Sequence, residues 1–187
     1  MLFKNNIPKD WSSIKIILFP NPILRNKSTD VPKDYPIHDL IETMIDILEL
    51  IPDGVGISSP QIGINLNAFI GFADQVFINP KIIDSRGSTN RYYEGCLSIP
   101  GVNGYVERHQ KIKISWFDEN WRAHTKLFKG FEAVVIQHEM DHLSGVLFLD
   151  KTDFNKIDGT GDLSRLEKSD VTLSAEINYP HIIYTPK

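Results

Sequence analysis

Residues 131–143 read Phe-Glu-Ala-Val-Val-Ile-Gln-His-Glu-Met-Asp-His-Leu, and the rest of the chain is best read outward from them. Phe131, Val134, Val135, His138 and His142 fall on one face at 3.6 residues per turn, so the spacing predicts a helix over 131–143. Within it, Gln137-His138-Glu139-Met140-Asp141-His142 has the form H-E-x-x-H. One turn separates the two histidines, so both project from the same side and can bind one metal ion. Glu139 is rotated by about 100° from His138. A carboxylate beside a metal's open position can take a proton from a polarised water and later return it. This combination suits hydrolysis of an amide or related acyl bond. Two unligated histidines on an apolar face would be costly unless hydrogen-bonded.

Two histidines need a third protein ligand. The extended pattern H-E-x-x-H-x-x-G-x-x-H fails, because Gly145 fits it but residue 148 is Phe. A downstream glutamate, Glu167, lies in a weakly helical stretch and would give a metalloprotease-type site. Upstream, Cys96 sits in Tyr92-Tyr-Glu-Gly-Cys-Leu-Ser-Ile-Pro100. A thiolate is a good ligand for zinc or ferrous iron, although a lone cysteine is also commonly a small buried hydrophobe. The residue chemistry leaves both open.

Around this helix the apolar patterning is mixed. Leu40, Ile41, Met44, Ile45, Ile47, Leu48 and Ile51 recur at spacings of three and four, predicting a helix over 38–50 with Asp39 as its cap. Residues 14–19 read as a short strand broken by Pro20, Asn21 and Pro22. Residues 67–71 and 75–80 read as a hairpin around Phe72-Ala73-Asp74. Ile112, Ile114 and Trp116 alternate in a half-buried strand over 111–117, with 123–129 as its partner after the Asp118-Glu-Asn120 turn. Gly54–Gly63 is rich in small residues and has no clear period. After Lys151 the periodicity is weak: 158–162 is loop-like and 182–184 reads as a late strand. Strands without βαβ alternation around two helices indicate an α+β class.

The 187 residues suit one domain. The 41% apolar and 24% charged residues are those of an ordinary globular chain, which excludes collagen-like, disordered and disulfide-scaffold classes. A formal net charge of −4 gives no global attraction to nucleic acid or anionic lipid. With Cys96 as the one cysteine, no intrachain disulfide can form, which fits a reducing compartment. Met1–Asp10 has no apolar signal-like core, and no apolar run approaches membrane-span length. The expected location is the cytoplasm.

Three segments together resemble the peptide deformylase family. They are Gly54-Val-Gly-Ile-Ser-Ser-Pro-Gln-Ile-Gly63, Glu94-Gly-Cys-Leu-Ser98 and Gln137-His-Glu-Met-Asp-His-Leu-Ser-Gly145. Phe19-Pro20 with Leu24-Arg25, Ile78-Asn-Pro80 and Val146–Asp150 match flanking pieces of the family, so the likeness runs over roughly residues 14–151 of a single domain 1–187. The resemblance implies antiparallel β-sheets around a central helix carrying the histidine motif. It implies one divalent metal ion held by Cys96, His138 and His142, with Fe2+ expected and Zn2+, Ni2+ or Co2+ able to substitute. Glu139 would be the acid–base group. The Gln61 side chain and the Leu97 backbone N–H would stabilise charge on the formyl oxygen. Val55 and Val134 would line the methionine pocket, and Gly56 and Gly95 would admit the peptide backbone. The implied substrates are N-formylmethionyl nascent peptides, met at the ribosome, with formate as product. Glu94 and Asp141 are expected to support the site from behind; His38, His109, His124 and His181 have no motif around them.

The family usually has Leu-Ala-Ala where this chain has Ile57-Ser58-Ser59. Each hydroxyl, if buried, must find a partner or cost on the order of 1–3 kcal/mol. The tail from 152 to 187 does not look like the basic C-terminal helix of many bacterial members. Besides the Glu167 metalloprotease, the remaining alternative is an inactive deformylase-like peptide-binding protein. Such a protein would be free to lose Glu139, Gln61 or a metal ligand, and this chain keeps all of them.

Overall fold

The computed structural model describes residues 16–51, 54–152 and 158–159. The late strand at 182–184, Glu167 and His181 lie outside the described residues. Two α-helices are present among the described residues, α1 (Ile37–Glu49) and α2 (Gly130–Leu143). The strands are β1 (Ile57–Ser58), β2 (Ala68–Ile70), β3 (Val76–Asp84), β4 (Thr89–Cys96), β5 (Ile99–His109), β6 (Lys111–Phe117), β7 (Ala123–Lys129) and β8 (Asp158–Gly159). They form a five-stranded sheet in the order β1-β2-β3-β6-β7 and a three-stranded sheet in the order β4-β5-β8, with every pairing antiparallel. The α+β class is as expected.

Successive side chains of a strand point to opposite faces, and the larger sheet uses both. Ala68, Ile70 and Ile78 join Leu40, Met44 and Ile47 of α1 in one apolar cluster. Phe69 and Phe77, one position out of phase, join Ile112, Ile114, Trp116 and Phe128 and meet Ala133, Ile136 and Leu143 of α2. The sheet is therefore covered by α1 on one face and α2 on the other. Ile112, Ile114 and Trp116 share the buried face that their alternation predicts. Beyond α2, the β5 residues Ile99, Val102 and Val106 pack with Phe19, Leu24, Phe148 and Leu149. Thus α2 lies between the two sheets and is buried nearly all round. Besides the face read from the sequence, its Ala133, Ile136, Gln137 and Leu143 are buried too. A helix enclosed in this way has little amphipathic contrast.

Several local expectations change. Residues 16–18 do not form a strand; Ile17 N donates to Gln61 O and Phe19 N to Ser98 O, so the segment is tied to two different pieces instead of pairing along one. Helix α1 begins at Ile37 after Pro36, and Asp39 lies in its first turn and does not cap it. Strand β3 runs to Asp84 with a bulge between Ile78 and Lys81. At that bulge Asn79 exchanges hydrogen bonds with Val31 N and Val31 O (2.8 and 3.1 Å) and fixes the loop before α1. The Phe72–Asp74 turn closes the expected hairpin, and Ala73 and Asp74 both have positive φ. Within the loop-like 158–162 stretch, Asp158 and Gly159 pair with Asn103 and Val102 of β5.

Candidate active site and metal centre

Three pieces of chain converge on the inner face of α2. The helix presents His138 and His142. Strand β4 ends at Cys96, where the β4–β5 turn, containing Leu97, begins. Strand β1 and the 3-10 turn Ser59–Ile62 carry Gln61. One ligand atom each from Cys96, His138 and His142 lies within 4.8 Å of the others. Cys96 Sγ stands 3.3 Å from His142 Nε2. Two imidazoles and a thiol so gathered form a donor set suited to a divalent transition metal. Glu167 is outside the described residues.

His138 is held from behind, whereas the buried Nδ1 of His142 has no hydrogen-bond partner. His138 Nδ1 bonds Glu94 Oε2 at 3.0 Å, which leaves its Nε2 for a metal. Glu94 is gripped by Arg108, Nε to Oε1 and Nη2 to Oε2, both at 2.8 Å. Arg108 Nη1 reaches Asp141 Oδ2 at 2.5 Å, and Lys151 Nζ reaches Asp141 Oδ1 at 2.7 Å. Burial alone would raise the Glu94 carboxyl, but hydrogen bonds from Arg108 and His138 overcome it and hold the group at about 2. Gln137 anchors the same helix. Its Nε2 donates to His109 O and Ala133 O, and its Oε1 accepts from His109 N.

Glu139 is 4% exposed, and its Oε2 has no hydrogen-bond partner. Burial is the chief cause that raises its carboxyl to about 7, against the opposing pull of His138 and of the Ser58 hydroxyl. Gly56 faces this carboxylate closely: a Cβ there would come 2.7 Å from Glu139 Oε1. Gln61 is 1% exposed. Its Oε1 accepts from Ser58 N at 2.9 Å and Ser58 Oγ at 3.0 Å, and its Nε2 points to Ser98 Oγ at 3.2 Å and Cys96 Sγ at 3.6 Å. The two serines that replace alanines thus find partners, since Ser59 Oγ donates to Leu66 O at 2.5 Å.

A cavity of about 430 Å³ opens onto this centre. All the residues named from the sequence for substrate contact, Val55, Gly56, Gly95 and Val134, line it, as do Gln61, Cys96, Leu97, His138 and Glu139. His142 is buried at the metal cluster but does not line the cavity. Phe131, placed by its helical phase among core residues, is 54% exposed at the cavity rim, where it meets the Phe72 ring edge-on. Of the other histidines, His38 is exposed and His124 stacks on Trp116 and bonds Asp118. Arg108 escaped the sequence reading. Its signal is positional: it shares the buried row of β5 with Val102, Gly104 and Val106, and a buried arginine requires carboxylate partners.

The sequence matches the family model of polypeptide deformylase over residues 13–157. The chain belongs to the peptide deformylase family. A peptide deformylase of Christiangramia forsetii is 36% identical, with 90% of this chain and 96% of the relative covered. One from Leptospira biflexa serovar Patoc is 39% identical over 78% of this chain and 90% of its own. The crystal structure of the Thermotoga maritima peptide deformylase superposes with a TM-score of 0.71 at 34% identity, covering 75% of this chain and 97% of that one. Membership implies a catalytic metal ion, and the Cys96–His138–His142 cluster has the donors to hold it. No helix among the described residues is long and apolar enough to cross a membrane.

Proposed function

We infer that the chain hydrolyses the formyl group from N-formylmethionyl peptides, releasing formate and a free N-terminal methionine. The observation that carries this reading is the gathering of one thiol, two imidazoles and a buried carboxylate with an unpartnered oxygen beside a single cavity. A divalent ion held by Cys96, His138 and His142 would supply Lewis acidity toward the water and the formyl oxygen. Glu139 takes the proton of the attacking water as its oxygen adds to the formyl carbon, then delivers a proton to the departing amine. A carboxyl raised to about 7 by burial is suited to both transfers near neutral pH. Gln61 Nε2 and the Leu97 N–H donate to the formyl oxygen as it becomes negative. Val55 and Val134 contact the methionine side chain, while Gly56 and Gly95 leave room for the peptide backbone.

Fe2+ is the metal proposed for the native protein, with Zn2+, Ni2+ or Co2+ able to replace it. The substrates are nascent chains leaving the ribosome in the cytoplasm, and residues 1–187 form one catalytic domain with its core at about 14–151. The test is formate release from formyl-methionyl-alanine by protein purified without oxygen and assayed for metal. Stoichiometric metal and turnover are expected. Cleavage of an unformylated peptide instead would favour the metalloprotease alternative, and binding of the formyl peptide without turnover the inactive one.

A further inference from the structure

Ser58 is fully buried where β1 ends and the turn carrying Gln61 begins. Its N and Oγ lie 2.9 and 3.0 Å from a single atom, Gln61 Oε1, and the hydroxyl also faces the Glu139 carboxylate. A side-chain amide has an acceptor at one end and two N–H groups at the other. Two donors on the acceptor end decide which end faces the cavity. They also constrain the amide plane, about which a single bond from the backbone would leave it free to swing. The Nε2 end is thereby turned toward Ser98 and Cys96, at the metal cluster. Ser59, its neighbour, satisfies its hydroxyl on the Leu66 carbonyl and touches no site residue through it. The two adjacent serines thus differ in what their hydroxyls hold.

We propose that Ser58 is a positioning residue for the oxyanion donor: its hydroxyl locks the Gln61 amide with its N–H groups facing the formyl oxygen. This rests on the deformylase reading above. It distinguishes Ser58 from a residue that only stiffens the turn, which would affect stability without acting through Gln61.

The test is a cycle of Ser58→Ala, Gln61→Ala and the double variant, each metal-loaded and assayed on formyl-methionyl-alanine with metal content and Tm recorded. In the wild-type background Ser58→Ala should lower kcat about three- to tenfold, the rate equivalent of one ordinary hydrogen bond. KM and metal content should stay within about twofold, below what that bond is worth. In the Gln61→Ala background the same substitution should cost clearly less, because the group it orients is gone, and the remainder reports the hydroxyl's contact with Glu139. Ser58→Cys, nearly isosteric and a weak donor, should fall between wild type and Ser58→Ala. An unchanged kcat in Ser58→Ala, or the same loss in both backgrounds, overturns the proposal. A wild-type protein that releases no formate overturns the deformylase reading, and this proposal with it, before any variant is compared.

Discussion

Glu139 and Cys96 carry the sharpest consequences for single residues. Glu139 has an unpartnered Oε2 and does not belong to the Cys96–His138–His142 donor group, which supports its proposed role in proton transfer and not in ligation. Glu139→Gln keeps the volume but cannot accept the proton. The variant should fold and bind one metal ion per chain while kcat falls at least about 10²–10⁴-fold; metal analysis beside formate release checks it, and loss of metal would make Glu139 a ligand. Cys96→Ala removes the sulfur 3.3 Å from His142. It should lose most bound metal and nearly all turnover, and normal metal content in that variant would call for a different third ligand. The histidine pair and Glu139 were legible in the sequence because a helix fixes their relative direction through spacing alone. Gln61 was legible only through its motif. What orients it is a pair of hydrogen bonds from Ser58, and no periodicity announces such a contact.

At the scale of elements, the β4–β5 hairpin does as much for the site as the helix does. It brings Cys96 to the histidines and, through Glu94 and Arg108, fixes the His138 ring. Arg108→Met removes one partner of a buried ion pair and leaves Glu94 and part of Asp141 uncompensated. Loss of about 3–5 kcal/mol is expected from denaturant unfolding, with weakened metal retention because His138 loses its fixed support. Arg108→Lys should rescue little, since an ammonium cannot grip both Glu94 oxygens as the guanidinium does. A variant as stable as the wild type would show that the pair does not secure the hairpin. This hairpin was the least legible part of the fold. The row of β5 that faces inward reads Val102, Gly104, Val106, Arg108, and a glycine and an arginine erase the apolar alternation that marks β6. Conversely, the apolar run at 14–19 reads as a strand from its side chains, yet within its described part Ile17 N and Phe19 N donate to Gln61 O and Ser98 O.

For the whole molecule, the buried carboxylate of Glu94 couples stability to acidity. Its folded value of about 2 lies below its ordinary value of 4.5. A carboxyl depressed in this way stabilises the fold above pH 4.5, and that contribution is lost as the pH falls toward 2, where the folded state must also bind the proton. The denaturation midpoint of the metal-free protein should therefore drop across this window, and Glu94→Gln should be less stable at neutral pH with a shallower dependence through it. A wild-type midpoint that stays level from about pH 4.5 to pH 3 would contradict the linkage. The class and the central helix were readable from the chain because α1 and β6 carry strong apolar patterns and α2 carries the one-turn histidine spacing. The two-layer enclosure of α2 was not, since a helix buried on both sides shows no polar face to orient it.

The three candidate ligands do not belong to one layer. Cys96 closes a strand of the smaller sheet, whereas the histidines ride on a helix packed against the larger one, with β5, β6 and β7 between them in the chain. An ion bound there would span that seam and act as a rivet between halves otherwise joined by side-chain packing, by the Glu94–His138 and Arg108–Asp141 contacts and by the Gln137–His109 hydrogen bonds. Any species that binds only the assembled form adds RT ln(1 + [L]/Kd) to its stability, about 2.7 kcal/mol at a free concentration one hundred times Kd. The supply of the ion would then set the lifetime of the chain as well as its activity: a cell short of metal would hold copies that are idle and also more readily digested.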